Sequence, residues 1–172
     1  MDTQVPKTFP SWSPDTFAAM VEDARRSYPR ECCGFLRPAA PGEPLHYQRC
    51  ENRQDRLHQL DPTTHPRTAR EAYNIGGRDL LQLAKSFSSA TPAEVIVHSH
   101  PDVGAYFSEE DARAARSSGW PVDYLVLDAR ASGVHEARLF RLRGESFVEI
   151  ARYDAQGAMV TRDEAAASSA KA

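Results

Sequence analysis

The stretch 93–101, AEVIVHSHP, constrains the fold more than any other part of the chain. Val95, Ile96 and Val97 are consecutive, apolar and β-branched, and such a run belongs in an interior strand covered on both faces. A strand of that kind needs neighbours in its sheet and helices above and below it. Pro101 ends it, because proline cannot donate to a sheet ladder. Side chains alternate faces along a strand, so His98 and His100 point to one side and Ser99 to the other. Both imidazoles stand at the carboxyl end of the strand, where open α/β sheets place their sites.

The flanking sequence supplies the covering layers. Ser13-Pro14-Asp15 is a helix start, with serine as N-cap and proline at the first helical position. Phe17, Met20, Val21 and Ala24 follow at helical spacing, and the helix is expected to end before Pro29. CCGFLR (32–37) reads as a buried strand, PAAPGEP as a turn and LHYQR (45–49) as a second strand. Residues 51–70 are polar with little periodicity and are expected to form a long loop. A second helix is predicted from about Asp79 to Phe87. DARAARSSG is a third helix ending near Gly119, VDYLVLDA a further strand, and EARLFRLRGESFVEIARY a hairpin turning at Arg143-Gly144-Glu145. The expected class is α/β, a mixed sheet packed between helices. One domain spans 13–154, between an irregular start (1–12) and a small, polar tail (155–172) expected to be disordered.

Composition narrows the function classes. With 21 Lys+Arg against 24 Asp+Glu, the formal charge is -3, and no basic stripe supports nucleic-acid binding. No apolar run approaches the ~20 residues of a membrane span. MDTQVPKTFP lacks the layout of a signal peptide, which makes a cytoplasmic location the expectation. Cys32, Cys33 and Cys50 form no disulfide framework and no C-x-x-C pair; core roles are expected for the adjacent two. The sequence sets no oligomeric state.

Two neutral imidazoles on one strand face are explained as ligands of a single metal, since two protonated rings would repel. Ser108-Glu109-Glu110-Asp111 has the S-x-x-[DE] form of a capping box. It starts a helix at Ser108 and places Asp111 in the first turn, directed back towards the strand end. His98, His100 and Asp111 would then face one Zn²⁺ ion, with one position open for water. Asp102 is a lower-ranked rival ligand, because it matches no capping geometry. Hydrolysis also needs a base and a donor for the oxyanion. Spacing alone does not choose the base; Glu31 is a candidate, at a tight helix–strand junction between Pro29 and Gly34, and Ser108 is a candidate donor. Each piece taken alone has an ordinary structural reading, as an exposed H-x-H, a helix cap or a surface charge; a metal site explains them jointly.

His98-Ser99-His100-Pro101, six residues, Ser108, two residues and Asp111 resemble the H-x-H-P-x(6)-S-x-x-D signature of the JAMM (MPN+) zinc metalloproteases. Tyr28-Pro29-Arg30-Glu31-Cys32-Cys33-Gly34 resembles the P-x-E-x-C-G segment of bacterial members, and the similarity runs from about Phe17 to Tyr153. The resemblance implies one zinc per chain on His98, His100 and Asp111, with Glu31 as acid/base and Ser108 positioning the oxyanion or water. It implies a curved, mixed sheet of the cytidine-deaminase-like type. It also implies a peptidase or isopeptidase acting on a ubiquitin-like or sulfur-carrier protein after its Gly-Gly end. A narrow groove lined by 51–70 and by Val103 to Phe107 would select such a tail. Tyr106 and Phe107 stand between the ligand positions, where substrate contact and ordinary packing are both open to them. The alternatives within the resemblance are a cell-wall or phage-tail peptide as substrate, or a non-catalytic MPN scaffold.

Overall fold

The computed structural model describes residues 9–163. In chain order its elements are α1 (Pro14–Ser27), β1 (Cys33–Pro38), β2 (Leu45–Cys50), α2 (Gln54–Leu60), α3 (Gly77–Ser86), β3 (Val95–Pro101), α4 (Glu109–Ser118), β4 (Asp123–Arg130), β5 (Gly133–Arg143), β6 (Ser146–Asp154) and β7 (Met159–Arg162). The strands form one mixed sheet in the order β2-β1-β3-β4-β5-β6-β7. Among the described strands β3 and β4 are the one parallel pair, and α4 carries the chain from one to the other. The α/β class and the mixed sheet expected from the sequence are thus found.

β3 is buried along its whole length, as its β-branched run requires. Val95 and Val97 pack on one face with Phe17, Met20 and Ala24 of α1. Ile96 packs on the other face with Leu83 of α3, Ala115 of α4 and Tyr124. His98 and His100 share the Ile96 face, so the imidazoles emerge from an apolar floor. Ser13 caps α1 by accepting from the Thr16 amide at 3.3 Å, as its sequence promised.

Three expectations are corrected. Residues 51–70 are not a continuous loop, because 54–60 form α2. This helix has no side-chain cap and buries only Gln54, so no apolar stripe announces it. The disorder expected over 155–172 does not hold for its first part: β7 adds an antiparallel edge strand to β6, with every residue exposed. Residues 164–172, like 1–8, lie outside the described residues. The start is not wholly irregular either, since Trp12 forms a parallel bridge with Leu45. Among the described residues, no helix is long and apolar enough to cross a membrane.

Candidate metal centre

The site forms where β3 ends and α4 begins. His98 and His100 project from the last turn of the pleat, while Ser108 and Asp111 make the reciprocal hydrogen bonds of a capping box. The Ser108 Oγ accepts from the Asp111 amide at 3.0 Å, and Asp111 Oδ2 accepts from the Ser108 amide at 3.0 Å. Gly104 lets the intervening loop turn at φ 96°, in the left-handed region that favours glycine.

Three potential ligand atoms converge. His98 Nε2 lies 3.1 Å from His100 Nε2. Asp111 Oδ2 is 3.2 Å from His100 Nε2, and Asp111 Oδ1 is 3.3 Å from His98 Nε2. Two atoms bound tetrahedrally at 2.0–2.1 Å from zinc sit about 3.3 Å apart, so these spacings suit one shared ion. The tautomer of His100 suits it as well. Its Nδ1 lies 3.1 Å from the Gly104 carbonyl, which can only accept, so the proton sits on Nδ1 and the Nε2 lone pair faces the centre. Burial pushes the His98 pKa down, which favours the neutral ring that a metal needs. Burial alone would raise Asp111, but the imidazoles of His98 and His100 outweigh it and hold the carboxyl below its usual range. Tyr73 stacks on His98 with centroids 4.5 Å apart, and Tyr106 meets His100 edge-on at 5.0 Å.

Glu31 enters from the far end of the sequence by strand register. β1 and β3 are antiparallel with Cys33 opposite His98, so continuing the pairing by two residues brings Glu31 beside His100 on the same face. Its Oε1 is 4.0 Å from His100 Nε2, and its Oε2 is buried without a hydrogen-bond partner among the described residues. Burial first, and Asp111 second, raise its pKa well above the usual carboxyl value. A carboxyl raised in this way beside a metal-type cluster is suited to taking and returning a proton.

The backbone of Glu31 is clamped as well. Its amide donates to the Ala69 carbonyl at 2.7 Å. The Asn52 side-chain amide donates to the Glu31 carbonyl at 3.0 Å and to the Ala72 carbonyl at 3.1 Å. Asn52 Oδ1 accepts from the amides of Gln54 and Asn74 at 3.0 and 3.1 Å. No motif marks Asn52 in the sequence, where it stands in a polar stretch 21 residues from Glu31.

Two other candidates are reassigned. Asp102 stays outside the cluster, because both its oxygens accept from the Tyr28 hydroxyl, at 2.8 and 3.0 Å, and Arg70 approaches it at 3.4 Å. Phe107 turns into the protein and packs on Tyr124, Phe140 and Phe147, which accounts for it as a packing residue. Tyr106 remains exposed beside the imidazoles. Cys32 and Cys33 are buried, and burial raises both thiols, Cys32 to about 12, so neither is poised as a nucleophile.

Known proteins resemble this chain along most of its length. The family described as prokaryotic homologs of the JAB domain matches residues 13–142. CysO-cysteine peptidases of Mycobacterium tuberculosis and Mycobacterium bovis are 28% identical over 129 residues, covering 74% of this chain and 79% of theirs. The solution structure of a Desulfitobacterium hafniense protein aligns with a TM-score of 0.59 at 22% identity, over 82% of this chain and 89% of that one. A Salinibacter ruber protein aligns at 0.51 and 20% identity, over 81% and 87%. These structural likenesses concern the fold.

Proposed function

The chain belongs to the prokaryotic JAB-domain family, and from that premise we propose that it is a zinc-dependent peptidase. Its proposed substrate is the amide bond that follows the Gly-Gly end of a sulfur-carrier or other ubiquitin-like protein. One observation carries the reading: His98 Nε2 and His100 Nε2 lie 3.1 Å apart and each meets one carboxylate oxygen of Asp111, at 3.3 and 3.2 Å, with a buried carboxylate 4.0 Å from His100. The relatives named CysO-cysteine peptidase support the choice of a carrier-linked substrate.

When bound by His98, His100 and Asp111, zinc supplies Lewis acidity, which lets water ionise near neutral pH and polarises the scissile carbonyl. Glu31 accepts the proton that water gives up. A carbon–oxygen bond forms at the carbonyl carbon, the carbon–nitrogen bond breaks, and Glu31 returns the proton to the departing amine. Ser108 Oγ already accepts from the Asp111 amide, so its own proton is free to donate to the developing oxyanion. The Gly104 carbonyl keeps the His100 ring in one tautomer throughout. Tyr106, exposed beside His100, offers a flat surface for the slim Gly-Gly main chain.

The test uses the zinc-loaded protein and a ubiquitin-like carrier extended beyond its Gly-Gly end. Cleavage after the second glycine, lost with chelator and regained with zinc, is the expected result. Cleavage of a cell-wall peptide but of no carrier fusion would move the substrate assignment. A protein that takes up no stoichiometric zinc and cuts nothing would be a scaffold.

A further inference from the structure

Glu31 and the His98, His100, Asp111 cluster come from distant parts of the chain, and Asp102 joins them. It follows Pro101 at the end of β3, and every polar group it has is engaged. Its amide donates to the Ala129 carbonyl at 2.9 Å, and its carbonyl accepts from Arg130 at 3.2 Å. Both carboxylate oxygens accept from the Tyr28 hydroxyl, at 2.8 and 3.0 Å, and Arg70 adds a contact at 3.4 Å. Arg130 is itself fixed by two bonds to the buried Asp128, at 2.7 and 3.2 Å, and Asp128 stands opposite His100 in the β3–β4 register.

The partners of the carboxylate lead to the backbone of Glu31. Tyr28 precedes Glu31 by three residues, at the end of α1. Arg70 follows Ala69, whose carbonyl accepts from the Glu31 amide at 2.7 Å. Asp102 therefore grips the segment of Glu31 from two sides, while its own backbone is fixed to the end of β4. Asn52 ties the Glu31 carbonyl to the segment 72–74; Asp102 ties the same residue to the strand that carries His98 and His100. The backbone of Asp102 is held at φ 65°, and among the described residues it is the one non-glycine residue in the left-handed region. Glycine would hold this turn at less cost. A side chain here is explained by what its carboxylate holds, and backbone strain of this kind clusters at functional sites.

Resting on the reaction proposed above, we infer that Asp102 is a positioning residue: its clasp on Tyr28 and Arg70 sets the place of Glu31 relative to the metal-type cluster. Asp102 touches none of the reacting atoms. The bonds of its carboxylate are exposed and add little to global stability, so losing them loosens the base without unfolding the sheet.

Amide hydrogen exchange on the full chain, with zinc present, tests the clasp independently of turnover. Asp102→Gly relaxes the backbone and removes the carboxylate. The Glu31 amide should then exchange on the order of tenfold faster, the scale of one hydrogen bond, while amides in the centre of β3 and β4 stay within about twofold of wild type. Tyr28→Phe, which loses only the hydroxyl, should move Glu31 in the same direction and carries the test if Asp102→Gly does not fold. Asp102→Asn keeps an acceptor for Tyr28 and tolerates the left-handed backbone, and it should restore most of the protection. On a Gly-Gly-linked carrier fusion, Asp102→Gly should lower kcat about 10–100-fold, with KM within about twofold and zinc content unchanged. Unchanged exchange at Glu31, or an equal rise across the sheet, would overturn the inference, as would selective loosening with wild-type kcat. If wild type cuts no fusion, the reaction reading fails, and the exchange pattern alone decides whether Asp102 holds Glu31 in place.

Discussion

Asn52→Ala should damage both the fold and the site, and the size of the damage can be worked from four hydrogen bonds. The side chain uses its whole capacity: two donors go to the Glu31 and Ala72 carbonyls, and the oxygen accepts from Gln54 and Asn74. Each such bond contributes about 0.5–1.5 kcal/mol net. Asn52 is only half-buried, so water can replace some of them, and the expected loss is about 2–4 kcal/mol. The loss also frees the carbonyl of Glu31, whose carboxylate must sit close to the water in the reaction proposed above. A displacement of roughly 1 Å in such a group costs on the order of 10²-fold in rate. Asn52→Asp is a sharper probe, because it keeps the oxygen that accepts from Gln54 and Asn74 and replaces the donating amide nitrogen with a charged oxygen facing two carbonyls. Urea unfolding gives the first quantity. Turnover at a temperature where the variant is folded gives the second, with zinc content unchanged. A stability loss under about 0.5 kcal/mol together with wild-type turnover would refute the clamp.

Chelation should lower the melting temperature of the zinc-loaded protein by roughly 5–10 °C, taking ~2.7 kcal/mol of binding linkage at one hundred times Kd; the same chelator should leave Asp111→Ala unmoved, and an equal shift in both would contradict the ligand set. Phe107→Ala should cost about 3 kcal/mol of stability by emptying an aromatic cluster. Tyr106→Ala, at an exposed position, should cost under ~0.5 kcal/mol yet lower kcat/KM, and the reverse pattern would exchange their roles. Burial raises the Asp23 carboxyl, with Tyr47 and Arg49 opposing it, so the folded chain holds that proton more tightly than the unfolded one. Its contribution therefore favours folding below the unfolded value of ~4 and is lost as pH rises through the folded value. The stability of wild type relative to Asp23→Asn should fall on going from about pH 4 towards neutrality, and a flat difference would be inconsistent with the shift.

What could be read from the sequence followed local rules. His98 and His100 share a face because strands alternate, and Asp111 returns to them because Ser108 caps a helix three residues earlier. Glu31 needed a nonlocal rule. Its place beside His100 depends on β1 pairing antiparallel with β3 in one register, which no single segment encodes. Gly34 belongs to the same junction: a β-carbon there would meet the Tyr47 ring and the Gln48 carbonyl at 2.5 Å, a closeness set by the neighbouring strand. α2 escaped notice because its one buried residue, Gln54, is polar and acts by hydrogen bonding to a loop. β7 escaped because an exposed edge strand needs no alternation. The packing of Phe107 was beyond local rules as well, since the aromatic rings that meet it lie on β4, β5 and β6.

The central claim is that Glu31 moves the proton in a reaction set up by zinc on His98, His100 and Asp111. Metal content and cleavage measured together on Glu31→Gln test it most directly, since the amide keeps the shape of the side chain and removes its basicity. The expected result is one zinc per chain, as in wild type, with cleavage of a Gly-Gly-linked carrier fusion reduced by about 10²–10⁴-fold. Cleavage at the wild-type rate by the zinc-loaded variant would contradict it.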